Sequence, residues 1–155
     1  MRLIRPGLVL TFEANFEADR LARAAGLPAA TLPVAVSEPH LKDSALATPD
    51  ALPFFKAFEG KTSWKNEVTL RSMELLRAYA PHLMIEYISP APLLMVIANR
   101  DILTPADLSF RAFAKALEPK ELLVLPRGHF DAYEEVNAGI MVKREIEFLH
   151  KHLCS

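Results

Sequence analysis

The chain has 155 residues, 51% of them hydrophobic, and its 18 basic and 19 acidic side chains leave a formal net charge of −1. That length suits one domain with a real hydrophobic core, and the composition is too apolar for a disordered chain. The charges are dispersed, with no basic stripe to follow a phosphate backbone, so nucleic acid is not an expected partner.

Other bulk features point the same way. The single cysteine, Cys154, allows no internal disulfide framework and suits a reducing compartment. Residues 1–10 carry Arg2 and Arg5 but no apolar stretch of signal-peptide length, and no run is long enough to span a bilayer. A soluble cytoplasmic protein with no membrane partner is the expectation.

In chain order, Phe16 to Ala25 predicts a short helix stopped by Gly26. Residues 27–48 read as a proline- and alanine-rich connector with one extended stretch, Leu32 to Val36. Thr48-Pro49-Asp50 has the composition of a helix start: a hydroxyl cap, a proline in the first turn and an acid near the positive end of the dipole. It leads into an apolar stripe of Phe54, Phe55 and Phe58, ended by Gly60. A further helix is expected from about Lys65 to Ala80, with Val68, Leu75, Leu76 and Tyr79 inward and Pro81 as its stop.

The second half changes character. Pro92 to Ala98 is a continuous apolar run, the pattern of a strand covered on both faces in a parallel sheet. Polar Asn99-Arg100-Asp101 ends it. Thr104-Pro105-Ala106-Asp107 repeats the cap-and-proline start and opens a helix with Phe110, Phe113 and Leu117 inward. A second buried strand, Leu122 to Leu125, leads into the loop Pro126-Arg127-Gly128-His129-Phe130. Asp131 and Glu134, at capping-box spacing, then open a last helix whose apolar face is Val136, Ile140, Ile146, Leu149 and Leu153. Strand, helix, strand, helix in this order is a βαβα unit of a parallel α/β sheet.

Loops beyond the carboxyl ends of parallel strands are where functional side chains gather. Here two successive strand ends carry Asp101 and His129. Adjacent strands lie about 5 Å apart, so their terminal loops can bring an acid and a histidine into contact. A carboxylate on one imidazole nitrogen fixes the tautomer and stabilises the imidazolium formed when the other nitrogen takes a proton. Asp131, two residues beyond His129, is a rival acid, although its position before Ala132-Tyr133-Glu134 suits a helix cap better.

These residues carry a resemblance. Pro90-x-Pro92-Leu93-Leu94-Met95-Val96 with Asp101-Ile102-Leu103-Thr104-Pro105 is similar to the penultimate strand and acid turn of an α/β-hydrolase. Glu118 to Leu122 and Pro126-x-Gly128-His129-Phe130-Asp131-Ala132-Tyr133 resemble its last strand and histidine loop. With Trp64 to Ser72 and Phe16 to Arg20, the chain resembles fungal α/β-hydrolases related to polyketide transferases and dienelactone hydrolases. The resemblance implies a catalytic Asp101 and His129 and an ester, lactone or polyketide-thioester substrate in secondary metabolism. Arg127 departs from the pattern, where a second glycine is usual, and puts the local loop geometry in question.

The nucleophile of that family sits on a sharp strand-to-helix turn bracketed by small residues. Gly7, Gly26, Gly60, Gly128 and Gly139 do not bracket a serine at Gly-x-Ser-x-Gly spacing, and Ser37, Ser44, Ser63, Ser72, Ser89, Ser109 and Ser155 all lack that setting. The sequence therefore reads as the C-terminal part of an α/β-hydrolase fold: 1–88 a mostly helical cap and connector, 89–155 the βαβα unit. The early strands and the nucleophile elbow are expected to be missing, as in a truncated product, an exon-level fragment or half of a split enzyme. Two functions follow. One is a serine hydrolase or acyltransferase completed by an N-terminal half or a second chain. The other is an inactive remnant that acts as a binding or interaction module, with self-association through its open sheet edge.

The remaining candidates are weaker. Trp64 and Arg71 suit core packing and a salt bridge better than a substrate pocket. The three phenylalanines at 54, 55 and 58 suit an acyl-pocket cover or an ordinary helix core equally. His150 and His152 point to different sides of a helix, so they are poor metal ligands and suit its C-terminal dipole. Cys154 is too near the terminus for a nucleophile. No glycine-rich phosphate loop or zinc spacing is present, so neither cofactor nor metal is expected.

Overall fold

A computed structural model describes residues 6–39 and 43–154. Arg2, Arg5 and Ser155, weighed above, lie outside the described residues. The chain divides into two compact units, Met1–Tyr79 and Ala80–Ser155.

The first unit contains α1 (Pro6–Ala24), β1 (Thr31–Leu32), α2 (Ala51–Lys56), β2 (Val68–Thr69) and α3 (Leu70–Ala78). The first helix is longer than Phe16 to Ala25, and the extended stretch stops at Leu32 rather than Val36. β1 and β2 pair antiparallel, Thr31 with Thr69 and Leu32 with Val68. From Val34 to Ala35 the chain is held by other means. The Asn66 side chain accepts from the Ala35 amide at 3.0 Å and donates to its carbonyl at 2.9 Å, satisfying a fully buried backbone as a neighbouring strand would. Asp19, 3% exposed, accepts from Arg23 and from the Ala30 amide, both at 2.8 Å. Those two bonds hold its carboxyl below the usual range against the opposing effect of burial. Trp64 stacks on Phe55, with centroids 5.2 Å apart, which is the packing role expected for it.

The helix expected from Lys65 begins only at Leu70, because Val68 and Thr69 pair with β1. Thr69 caps it by accepting from the Ser72 amide at 3.1 Å. Its inward face also differs from expectation. Leu70, Met73, Glu74 and Arg77 are half-buried at helical spacing, while Leu75, Leu76 and Tyr79 are 60–70% exposed. Ion pairs select the face: Glu74 meets Arg20, and Arg77 meets Glu13 at 2.9 Å while lying over the Phe16 ring.

The second unit is the expected βαβα arrangement. A 3-10 helix over Pro81–Ile88 leads to β3 (Leu93–Ala98), α4 (Ala106–Lys115) and β4 (Lys120–Leu125), followed by a short 3-10 turn, Phe130–Tyr133, and α5 (Glu135–Leu153). β3 and β4 are parallel and in unbroken register from Leu93↔Lys120 to Ala98↔Leu125. Ile85, Ala112 and Ala116 form a small core against Leu93 and Met95. α4 thus buries its alanines more deeply than Phe110 and Phe113, and Leu117 is exposed.

The helix starts read from Thr48-Pro49-Asp50 and Thr104-Pro105 exist without a side-chain cap bond. Asp131 and Glu134 do not form a capping box either: Asp131 lies in the 3-10 turn, and Glu134 precedes α5 without capping it. The side chain of Asp131 is instead engaged by the loop behind it. The α5 face turned to the sheet is Asn137, Met141, Arg144, Phe148 and His152, not the apolar stripe expected. Arg144, Lys151 at 2.7 Å and His152 at 3.6 Å converge on Glu121 of β4, and this charge contact turns the helix. The Lys151 bond leads the effects that hold the Glu121 carboxyl below its usual range.

Lys120 closes the end of α4. Its Nζ donates to the Phe113 and Ala116 carbonyls at 2.9 and 2.6 Å and lies 4.8 Å from the Phe113 ring centroid. A cation at unsatisfied C-terminal carbonyls and over an aromatic face stabilises by about 1–2 kcal/mol. Lys120→Met should therefore lower the unfolding free energy by that amount, read as a lower urea midpoint with the m-value unchanged.

Candidate active site

The parallel ladder delivers both candidate residues to one place. Beyond β3 the chain turns at Asn99-Arg100, and the Arg100 amide donates to the Arg127 carbonyl at 2.9 Å. This bond ties the two loops together before either reaches its functional side chain. His129 Nδ1 then lies 2.8 Å from Asp101 Oδ2.

Asp101 is saturated. Its Oδ1 accepts from the Leu103 and Thr104 amides at 2.9 and 2.8 Å, and its Oδ2 accepts from the Thr104 hydroxyl at 2.7 Å as well as meeting His129. With the side chain 10% exposed, burial pushes the carboxyl up. Thr104, through its hydroxyl and its amide, and His129 outweigh that and hold it below the usual carboxylate range. An ionised carboxylate only accepts, so Nδ1 must carry the hydrogen and Nε2 is left as the base.

The pH consequence follows from the direction of the shift. A folded value below the unfolded one, about 3.9, gives a stabilisation that is complete above that pH and is lost as pH falls through the folded value. The stability gap between wild type and Asp101→Asn should therefore close in acid, which melting curves from pH 7 down to about 2 would reveal.

Thr104 was read from sequence only as a helix cap, yet its hydroxyl holds the acid. The signal was available in the spacing Asp101-x-x-Thr104, where an Asp side chain can accept from the backbone and hydroxyl just ahead of it.

The rival acid is otherwise engaged. Asp131 Oδ2 accepts from the Gly128 amide at 2.8 Å. A Cβ on Gly128 would come within 3.2 Å of that same oxygen, which accounts for glycine before the histidine. Arg127 needs no left-handed backbone, since every positive φ among the described residues belongs to glycine. Phe130, buried, packs edge-on to the His129 ring. The pair lies in a cleft of about 230 Å³ lined by Val96, Thr104, Ser109, Tyr133 and Met141 among others. Among the described residues no cluster of His, Cys, Asp or Glu could hold a metal, and no helix is long and apolar enough to cross a membrane.

The chain carries the C-terminal part of an α/β-hydrolase fold, a small parallel sheet flanked by helices. It matches the crystal structure of the α/β-hydrolase GrgF from Penicillium sp. sh18 with a TM-score of 0.74 at 23% identity, covering 94% of this chain and 50% of that one. DcsB, solved in complex with its substrate analogue, matches with a TM-score of 0.77 at 19% identity over the same shares. By sequence, it is 34% identical over 102 residues to the polyketide transferase af380 of Aspergillus fumigatus, 64% of this chain and 35% of that protein. It is 28% identical over 93 residues to a thiohydrolase of Eupenicillium brefeldianum, 59% of this chain and 30% of that protein. The chain thus spans about a third of these curated relatives and half of the solved structures. No family model matches it. It is similar in sequence to proteins named polyketide transferase and thiohydrolase, and in fold to α/β-hydrolases.

Proposed function

We propose that the chain supplies the acid and histidine of a serine hydrolase or acyltransferase, with a nucleophile from outside these 155 residues. Residues 89–155 are its catalytic βαβα unit and 1–88 its cap and connector. The observation that carries the reading is the 2.8 Å contact of His129 Nδ1 with an Asp101 carboxylate held ionised, at the ends of neighbouring parallel strands. His129 Nε2 takes the serine proton as the acyl-enzyme forms and returns it to the leaving group, while Asp101 stabilises the imidazolium. The names thiohydrolase and polyketide transferase among the relatives support a polyketide or thioester acyl substrate. An ester or lactone substrate, and a cytoplasmic setting in fungal secondary metabolism, are what the sequence resemblance implies.

A second reading, an inactive remnant serving as an interaction module, is favoured by the absence of Gly-x-Ser-x-Gly from the 155 residues and by the exposed apolar stripes of α3 and α5. Fluorophosphonate labelling and activated-ester turnover separate the two. The chain alone should be silent, and the chain supplied with the N-terminal half of a relative should label and turn over. A labelled serine within the chain alone would overturn the external nucleophile.

A further inference from the structure

The histidine loop is held from behind by a side chain that faces no reacting atom. Asn137, on the first turn of α5, is 4% exposed, a buried polar group that must be satisfied. Its Oδ1 accepts from Arg127 Nε at 3.2 Å, and its Nδ2 donates to the Asp131 carbonyl at 2.7 Å and to Glu134 Oε2 at 3.4 Å. Arg127 and Asp131 are the residues two before and two after His129. One amide therefore grips both sides of the loop, while Asp131 Oδ2 closes it through the Gly128 amide and the Arg127 carbonyl joins it to the acid loop through Arg100. We infer that Asn137 is the positioning residue of His129 and that Arg127, the residue departing from the family's glycine, is its working partner.

The geometry demands such a clamp. His129 has a 26% exposed side chain and two acceptors within reach of Nδ1, Asp101 Oδ2 at 2.8 Å and Thr104 Oγ1 at 3.4 Å. The Thr104 hydrogen goes to Asp101, so its oxygen can only compete for the imidazole hydrogen. A loop shift of a few tenths of an ångström would divide that hydrogen between the two and loosen the tautomer. A glycine at 127 would offer no side chain to Asn137, whose Oδ1 would then be buried unpaired.

The inference rests on the acid–histidine reading above, but its test does not need turnover. Nitrogen-15 NMR of the ring in the full 155-residue chain, at a pH where the imidazole is neutral, reports which nitrogen carries the hydrogen. Wild type should show the Nδ1–H form predominating. Arg127→Met, at an exposed position, should lose a measurable part of that preference and Asn137→Ala most of it, with thermal melting recorded for each. Arg127→Met decides the matter if Asn137→Ala does not fold. Asp101→Asn is the reference. If it shifts the tautomer and a folded Arg127→Met does not, the clamp is wrong and the pair stands. If Asp101→Asn leaves the tautomer unmoved, the pair has failed and the clamp falls with it.

Discussion

In the reconstituted assembly, His129→Ala should abolish turnover and Asp101→Asn should reduce it by about 10⁴-fold, the size known for the acid-to-amide change in a Ser-His-Asp triad. The two effects differ because the two groups do different things. In the proposed mechanism His129 moves the proton, and among the described residues no other histidine lines that cleft. Asp101 moves none. It forces the hydrogen onto Nδ1 and stabilises the cation. An asparagine there still fills the space, but it can present an amide N–H where Nδ1 needs an acceptor, favouring the wrong tautomer. Thr104→Val should fall between wild type and Asp101→Asn, since it removes one of the four bonds to the carboxylate without removing the charge. The check is kcat on an activated ester alongside fluorophosphonate labelling, which scores the nucleophile separately from turnover. Full activity of Asp101→Asn would move the acid's role elsewhere, with Asp131 the next residue to replace.

The second large effect is association. The stripe Val136, Ile140, Ile146, Leu149 and Leu153 on α5 is 49–76% exposed, and Val124 of β4 is 39% exposed. Apolar side chains exposed to this extent are costly in water and favour association. A two-stranded parallel sheet also leaves unpaired backbone groups at its edges, ready to template another strand. The isolated chain should therefore bind hydrophobic dyes and grow in mass with concentration in light scattering. Ile140→Glu with Leu149→Glu should return it toward monomer without altering the Asp101–His129 contact, since neither residue lines that cleft. A concentration-independent monomer with one cooperative melt would rule this face out as sticky.

What could be read from the sequence, and what could not, divides along physical lines. β3, β4 and the helix between them were legible because a parallel strand covered on both faces leaves a continuous apolar run, and Leu93–Ala98 is one. Asp101 and His129 were legible because they end such runs in the order that a parallel crossover places side by side. The helix faces of α3 and α5 were not. Hydrophobic periodicity assumes that the buried stripe is the apolar one, whereas Glu74 and Arg77 on α3, and Asn137, Arg144 and His152 on α5, face inward to satisfy charges and amides. The ion-pair partners lie far away along the chain, and those of Asn137 lie in the loop and turn before the helix, so neither leaves a helical period. The capping box at Asp131 failed for a local reason: the right spacing was present, but the Gly128 amide three residues back takes that carboxylate.

The bond from the Arg100 amide to the Arg127 carbonyl extends the β3–β4 ladder past the last strand pair, Ala98 with Leu125. The spacing of the two loops is thus set by a main-chain bond, ahead of the side-chain clamp that aims the imidazole. Asp101 and His129 also lie on one continuous stretch of polypeptide, so recombination that exchanges whole segments moves them together with their spacing intact.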